Sequence, residues 1–347
     1  MEYRKLGQTD LDVSAICLGT MTWGEQNTEE EAHQQLEMAV ASGINFIDTA
    51  ELYPVPPKEE TQGLTEKFIG SWIKNRGKRD DVILATKVVG KSDNTYFRGN
   101  GEISRLHARH INDAVDKSLT RLQTDYIDLY QLHWPERSTN YFGKLGYVHE
   151  EEEDAVEILE TLEALDALVK SGKIRHVGLS NESAWGTMRY LHLSDKYDLP
   201  RMVSVQNPYN LLNRSYEVGL AEISIREQCG LLAYSPLAMG MLSGKYQGGQ
   251  KPEGSRFSLF TRFVRYSTEI AHKMTDQYVA LANENGLDPS QMALAYINSR
   301  RFVTSNIIGA TNLEQLKTNI GSIDIKLSDD ILTKIEDIHS QHPYPCP

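Results

Sequence analysis

The chain has 347 residues and is poor in cysteine: Cys17, Cys229 and Cys346 lie far apart, with no CxxC pair. So sparse and odd a set argues against a disulfide framework and suits a reducing compartment. No apolar run approaches the roughly 18 residues of a membrane-spanning helix. The opening stretch, MEYRKLGQTD, is charged and lacks the apolar centre of a secretion signal. A cytoplasmic protein is therefore expected. Positive charge is in short supply too, with a formal net charge of −12 and a pI near 5.4. That argues against general nucleic-acid binding and against an anionic membrane surface. No HxH, HExxH or Cys/His cluster has ligand spacing, so no metal is expected. Linker-like and low-complexity stretches are missing as well, and residues 1–347 read as a single domain.

What is present is ordinary globular composition, 40% hydrophobic and 24% charged, enough for a core of good size. Tyr3–Leu6 and Leu11–Ser14 flank a turn-rich break and read as a β-hairpin. Strands and helices then alternate. Eight short apolar runs predict strands: Ile16–Leu18, Ile44–Ile47, Val82–Ala85, Ile127–Tyr130, Val177–Ser180, Val203–Gln206, Leu231–Tyr234 and Asn306–Ile308. Helical stripes separate them, such as Ala32, Leu36, Ala39 and Val40 behind the capping box Thr28–Glu31. A further stripe begins at Val156. Eight βα units predict an α/β (β/α)8 TIM barrel with an N-terminal hairpin. A doubly wound sheet is the competitor, but Gly19-Thr20-Met21-Thr22-Trp23-Gly24 lacks the G-x-G-x-x-G spacing. Long loops at about 88–109, 134–153 and 236–268 all follow strands, so a barrel gathers them over one face.

Asp48, Tyr53, Lys87 and His133 fall at or just beyond strand ends, where a barrel builds its site. Tyrosine can act as an acid, although a free phenol has a pKa of about 10. A buried ammonium at Lys87 pulls that value down, and Asp48 keeps the ammonium charged. His133 can point a ring N–H at an oxygen. The bland alternative is a structural Lys–Asp pair with a hydrogen-bonded tyrosine and a core histidine.

These residues also carry a resemblance. Asp48-Thr49-Ala50-Glu51-Leu52-Tyr53, Ala85-Thr86-Lys87 and Leu132-His133-Trp134 resemble the tetrad of the aldo-keto reductases. Gly178–Asn181, Gln206–Tyr209, Tyr234–Leu237 and Ile308–Thr311 resemble further motifs of that family, in the same order. The likeness runs from about Tyr3 to His339. Pro54–Pro57 and Asn140–Tyr147 resemble its bacterial Tas-type branch.

The resemblance implies an NADP(H)-dependent oxidoreductase that passes hydride to an aldehyde or ketone, with Tyr53 protonating the carbonyl oxygen. It implies cofactor contacts from Gly19, Thr20, Met21 and Asp48, and a carboxamide site at Ser180, Asn181 and Gln206. Tyr234 would stack on the nicotinamide. Helix capping is the plain alternative for Ser180 and Asn181. The segment Ser235, Pro236, Leu237, Ala238, Met239, Gly240, Met241, Leu242, Ser243, Gly244 and Lys245 is expected along the phosphates. It is no P-loop, because Lys245 precedes Tyr246. Between 245 and 265, Lys245, Lys251, Arg256, Arg262 and Arg265 face only Glu253 in sequence, which suggests an anion site. The competing reading is a solvated loop face. Gly309, Thr311, Gln315 and Asn319 are implied around the adenosine 2′-phosphate, where many relatives place a basic residue and this chain has Ala310-Thr311-Asn312. NADP preference therefore leans on Arg256 and Lys245. Trp23, Tyr53, Pro54, His133 and Trp134 are expected to line a pocket for a small, apolar or aromatic carbonyl compound. Two rival readings are a cofactor-binding sensor with little turnover and a metal-dependent barrel hydrolase.

Overall fold

The computed structural model describes residues 1–99, 101–151 and 154–347. Asn100, Glu152 and Glu153, within two of the expected long loops, lie outside the described residues. Strands β1 (Tyr3–Lys5) and β2 (Asp12–Ser14) form a separate antiparallel hairpin. The barrel strands are β3 (Ile16–Gly19), β4 (Phe46–Asp48), β5 (Ile83–Val88), β6 (Ile127–Leu132), β7 (Ile174–Ser180), β8 (Met202–Pro208), β9 (Gly230–Tyr234) and β10 (Val303–Ile308). All pair in parallel in chain order, and β10 closes onto both β3 and β9. The expected (β/α)8 barrel and its hairpin are both there.

Helices follow the strands: α1 (Glu29–Ala41), α2 (Leu64–Arg76), α3 (Ala108–Leu122), α4 (Ile158–Lys170), α5 (Ala184–Tyr197), α6 (Leu220–Arg226), the short α7 (Arg256–Leu259), α8 (Glu269–Glu284), α9 (Pro289–Asn298), α10 (Leu313–Gly321) and α11 (Asp329–Gln341). The capping box forms as read: Thr28 accepts from the Glu31 N–H, and Glu31 accepts from the Thr28 N–H at 2.9 Å. Strand limits differ from the apolar runs. Ile44, Asn45 and Val82 precede their strands, and β5 runs on to Val88, so Lys87 lies inside it. A lysine and a threonine interrupt the apolar signal there without interrupting the ladder. Val156 lies before α4.

Apolar side chains divide into two layers. One lies between barrel and helices, with Leu36, Ile69, Ile111, Leu165 and Ile335. The other fills the barrel with Cys17, Phe46, Ala85, Leu129, Val203 and Leu232. Leu6 and Val13 of the hairpin belong to this inner layer, so the hairpin plugs the end where the strands begin. At the hairpin's Gly7, φ is +60°, and a Cβ would sit 2.8 Å from the Val203 carbonyl oxygen. With that end stoppered, the strand C-termini are left to build a site. No helix among the described residues is long and apolar enough to cross a membrane.

Candidate active site

Asp48 closes β4 and pairs in register with Ala85 of β5. Side chains two apart on a strand share a face, so Ala85 and Lys87 both point into the barrel. Lys87 is fully buried, and its Nζ donates to Asp48 Oδ2 and to the Thr49 carbonyl, each at 2.7 Å. The other carboxylate oxygen of Asp48 accepts from Gln206 Nε2 at 2.8 Å and Gln131 Nε2 at 3.2 Å. A buried ion pair survives only when its remaining lone pairs are met, and here they are. Burial opposes the charge on Lys87, but the carboxylate of Asp48 and then Tyr53 more than offset it, so the amine is held above its ordinary pKa.

Tyr53 follows a turn in which its N–H donates to the Ala50 carbonyl at 3.1 Å and its carbonyl accepts from Gly63 at 2.9 Å. The Lys87 ammonium lies 4.9 Å from its ring centroid. Lys87 pulls the phenol pKa down, as expected, but burial is the larger effect and the net direction is up. The expectation of a lowered value is corrected: the hydroxyl keeps its proton at neutral pH. His133 lies one residue past β6, with its ring edge-on to Tyr53 at 5.9 Å. Burial and then the Lys87 charge push its pKa well down, so the imidazole is neutral. Its Nδ1 is buried without a partner among the described residues, and the residue lines the cavity described below.

Beside this group, Ser180 Oγ donates to the Gln206 carbonyl at 2.9 Å. Asn181 Nδ2 donates to the His133 carbonyl at 2.8 Å and to Ser180 Oγ at 3.1 Å, and its Oδ1 accepts from Tyr234 Oη at 2.7 Å. The capping alternative for Ser180 and Asn181 fails, because Ser183 caps α5. Lone pairs on Ser180 Oγ, Asn181 Oδ1 and Gln206 Oε1 stay available to an amide NH₂.

All of this opens into one cavity of about 1340 Å³ at the strand ends. Gly19, Thr20, Met21, Asp48, Tyr53, His133 and Trp134 line it, as do Ser180, Asn181, Gln206, Tyr234, Ser235, Pro236, Leu237, Met239, Gly240, Ser243, Lys245, Arg256, Gly309, Thr311, Gln315 and Asn319. Other expected residues point elsewhere. Trp23 is fully buried in the core, its indole N–H on Gln35 Oε1 at 3.2 Å. Pro54 is buried, and Leu52, Val55 and Pro57 face the cavity instead. Ala238, Met241 and Leu242 pack inward because the loop turns on itself there and buries its apolar side chains. Gly244, with φ +80°, ends that turn against Val279. Lys87 does not line the cavity and lies behind Tyr53, which does.

Along the loop wall, Lys245, Arg256, Arg262 and Arg265 face the same cavity. None of the four forms an ion pair with a carboxylate among the described residues, whereas Arg98 and Arg121 hold Glu51 and Glu66. Burial lowers the pKa of Arg256, against the weaker opposing pull of Tyr246 and Tyr53. Its guanidinium lies 5.2 Å from the Phe263 ring. Burial opposes the charge on Arg265, but the neighbouring phenols of Tyr234 and Tyr266 more than offset it, so its pKa is held up. At the far side, Asn312 caps α10, the Thr311 N–H donates to Gln315 Oε1 at 3.1 Å, and Asn319 Nδ2 donates to the Gly309 carbonyl at 3.1 Å.

Gln131, Glu51 and Arg98 were not singled out in the sequence. For Gln131 a signal existed: it stands two residues before His133, on one face of the strand direction. Arg98 gave none, since its loop has no periodicity. Among the described residues, no three His, Cys, Asp or Glu side chains gather as a metal-ligand set.

A model of the aldo/keto reductase family matches residues 15–340. Protein tas of Escherichia coli (strain K12) is 54% identical over 347 residues, covering all of both chains, and its Shigella flexneri counterpart scores the same. The uncharacterized oxidoreductase YrpG of Bacillus subtilis (strain 168) is 32% identical over 339 residues, 97% of this chain and 96% of that one. With the family model spanning nearly the whole barrel and Tas alike from end to end, the chain belongs to the aldo/keto reductase family of oxidoreductases.

Proposed function

We propose that the protein reduces a small aldehyde or ketone with NADPH, acting in the cytoplasm as one domain. The observation that carries the cofactor choice is the set of four cavity cations, Lys245, Arg256, Arg262 and Arg265, that form no ion pair among the described residues. A dinucleotide phosphate brings a pyrophosphate and a 2′-phosphate, and four basic side chains match that charge. The cavity is larger than the ~300–1,000 Å³ typical of one drug-sized ligand, so cofactor and substrate fit together. Ser180, Asn181 and Gln206 would hold the carboxamide, Tyr234 would pack on the ring, and Arg256 and Lys245 would hold phosphate oxygens. Thr311, Gln315 and the capped start of α10 border the adenosine end.

A reduced nicotinamide supplies the hydride when bound. The chain's own residues do the rest. His133 Nε2 and Tyr53 Oη orient the carbonyl oxygen between them. Tyr53 donates its proton to that oxygen as negative charge develops there. Lys87 stabilises the resulting phenolate, and Asp48 with Gln131 and Gln206 keeps Lys87 in place. Trp134 and Phe142 screen the site from water. A carbonyl panel followed by NADPH absorbance tests this reading. Turnover of at least one aldehyde with NADPH is expected, lost in Tyr53→Phe. Absence of any NADPH binding by fluorescence titration would sink it.

A further inference from the structure

The segment that carries Tyr53 is fastened by a second ion pair that the proposed chemistry does not use. Glu51 lies two residues before Tyr53 and is 1% exposed. Arg98 Nη1 donates to its Oε2 at 3.0 Å and Nη2 to its Oε1 at 2.9 Å, a two-pronged grip. The same Oε1 accepts from the Val89 N–H at 2.8 Å, and the Glu51 N–H donates to the Lys87 carbonyl at 3.2 Å. The Thr49 N–H donates to the Ala85 carbonyl at 2.8 Å. Pairing between the β4 and β5 segments thus continues past Asp48 and ends at Glu51. Arg98 belongs to the loop between β5 and α3, just after a 3₁₀ turn over Thr95–Phe97. Beside it, Val89 and Phe97 pack with Trp134, and Leu52 leans on them.

An ion pair this deep is a poor source of stability, because desolvation of two charges offsets their attraction. Apolar residues of equal size would fill the space at less cost. What the pair does supply is register. It ties the backbone of the Tyr53 turn to the stretch of β5 that carries Lys87, through Lys87 and Val89 on either side. It also ties both to the loop beneath Trp134.

We propose that Glu51 and Arg98 are a positioning pair that sets the distance between Tyr53 Oη and Lys87 Nζ, and with it the acidity of Tyr53. The inference rests on the reductase reading for its effect on turnover, though not for its effect on Tyr53 itself. The charged and titratable groups acting on Tyr53 are Lys87 and Asp48 from the barrel, Tyr234 from the end of β9, and Arg256 from α7. The neutral His133 ring faces it from the end of β6. Glu51 and Arg98 are not among them and act through position. A misplacement of 1 Å is worth about a hundredfold in rate.

The test uses Glu51→Gln, Arg98→Met and the double variant in the full chain. Each single variant leaves a buried charge unpaired, so both should lose thermal stability. The double variant removes both charges and should recover most of it. If the pair positions Tyr53, the double variant keeps a kcat about ten- to hundredfold low with NADPH affinity little changed. Its alkaline limb in the pH–rate profile moves upward, because Lys87 no longer lies close enough to favour phenolate. A double variant that regains both kcat and the wild-type pH profile would show the pair to be structural and overturn the proposal. Tyr53 titration is read separately by NMR of ring-labelled tyrosine, with Tyr53→Phe assigning the signal. That readout needs no turnover. A wild type that reduces no carbonyl would refute the reductase reading, while an upward Tyr53 shift in the double variant would still support the positioning pair. An unmoved Tyr53 signal would overturn the pair alone.

Discussion

At the base of the cavity, Asp48, Lys87, Gln131 and Gln206 satisfy one another in closed hydrogen bonds, whereas along the loop wall Lys245, Arg256, Arg262 and Arg265 form no ion pair among the described residues, although Glu253 lines the same cavity. The floor is built on strands, its charges neutralised within the protein. The wall stands on the loop after β9, where the chain turns irregularly through Ala238, Met239 and Gly240 with φ values of 48°, 59° and 94°. A floor of that kind is ready before any ligand arrives. A wall of cations without ion-pair partners among the described residues suits an anionic ligand. On the proposed reading chemistry is separated from affinity, and substitutions in the two regions should fail in different ways.

Tyr53→Phe gives the largest expected effect. The ring stays and the proton is lost, so kcat should fall about 10²- to 10⁴-fold, the usual worth of a general acid. NADPH affinity should hold, as fluorescence titration would register. A variant with near wild-type kcat removes Tyr53 from the proposed chemistry and breaks the division between floor and wall.

Lys87→Met comes next. It should lower kcat by about a hundredfold or more. Lys87 pulls the Tyr53 phenol pKa down against burial, so without it Tyr53 titrates higher. Reduction needs the protonated phenol and fades as pH rises through that pKa. The alkaline limb of the profile should therefore move to higher pH. Thermal melting should also fall, because Asp48 is left buried without its counter-ion. An unmoved limb would make Lys87 merely structural.

On the wall, Arg256→Ala should leave kcat at saturating cofactor nearly intact. A charge-assisted hydrogen bond is worth about 1.5–3 kcal/mol, so NADPH affinity should drop about ten- to hundredfold. NADH should lose less if the guanidinium holds the 2′-phosphate. Equal losses would move Arg256 to the pyrophosphate. Lys245→Ala should produce the smallest change, about three- to tenfold in NADPH affinity, since a half-exposed ammonium is screened by water. Raising the salt concentration should weaken NADPH binding to wild type more than to either variant. A salt-independent Kd would return the wall cations to solvent.

Much of the fold was legible because periodicity is a local signal. Eight apolar runs alternating with helical stripes need eight βα units, and the capping box at Thr28 and the stop at Gly43 are chemistry that neighbouring residues carry by themselves. The places of Asp48 and His133 were legible for the same reason, since each sits where a strand ends. Contacts that join distant segments were not. Lys87 lay beyond the apolar run that marked its strand, because a fully buried lysine looks like a surface residue until Asp48 is seen 2.7 Å away. Trp23 read as a pocket wall and is core, because burial depends on α1 and α2 folding over it. Ala238, Met241 and Leu242 read as cofactor contacts and pack inward, since irregular loops have no period from which a face can be assigned. The sequence by itself determined the element order, the barrel and the residue types at the strand ends. Only the tertiary structure decided that Gln131 braces Asp48, that Arg98 grips Glu51 from another loop, and that four cations share one cavity. Those are relations between residues far apart in the chain, and closure of the barrel is what brings them within reach.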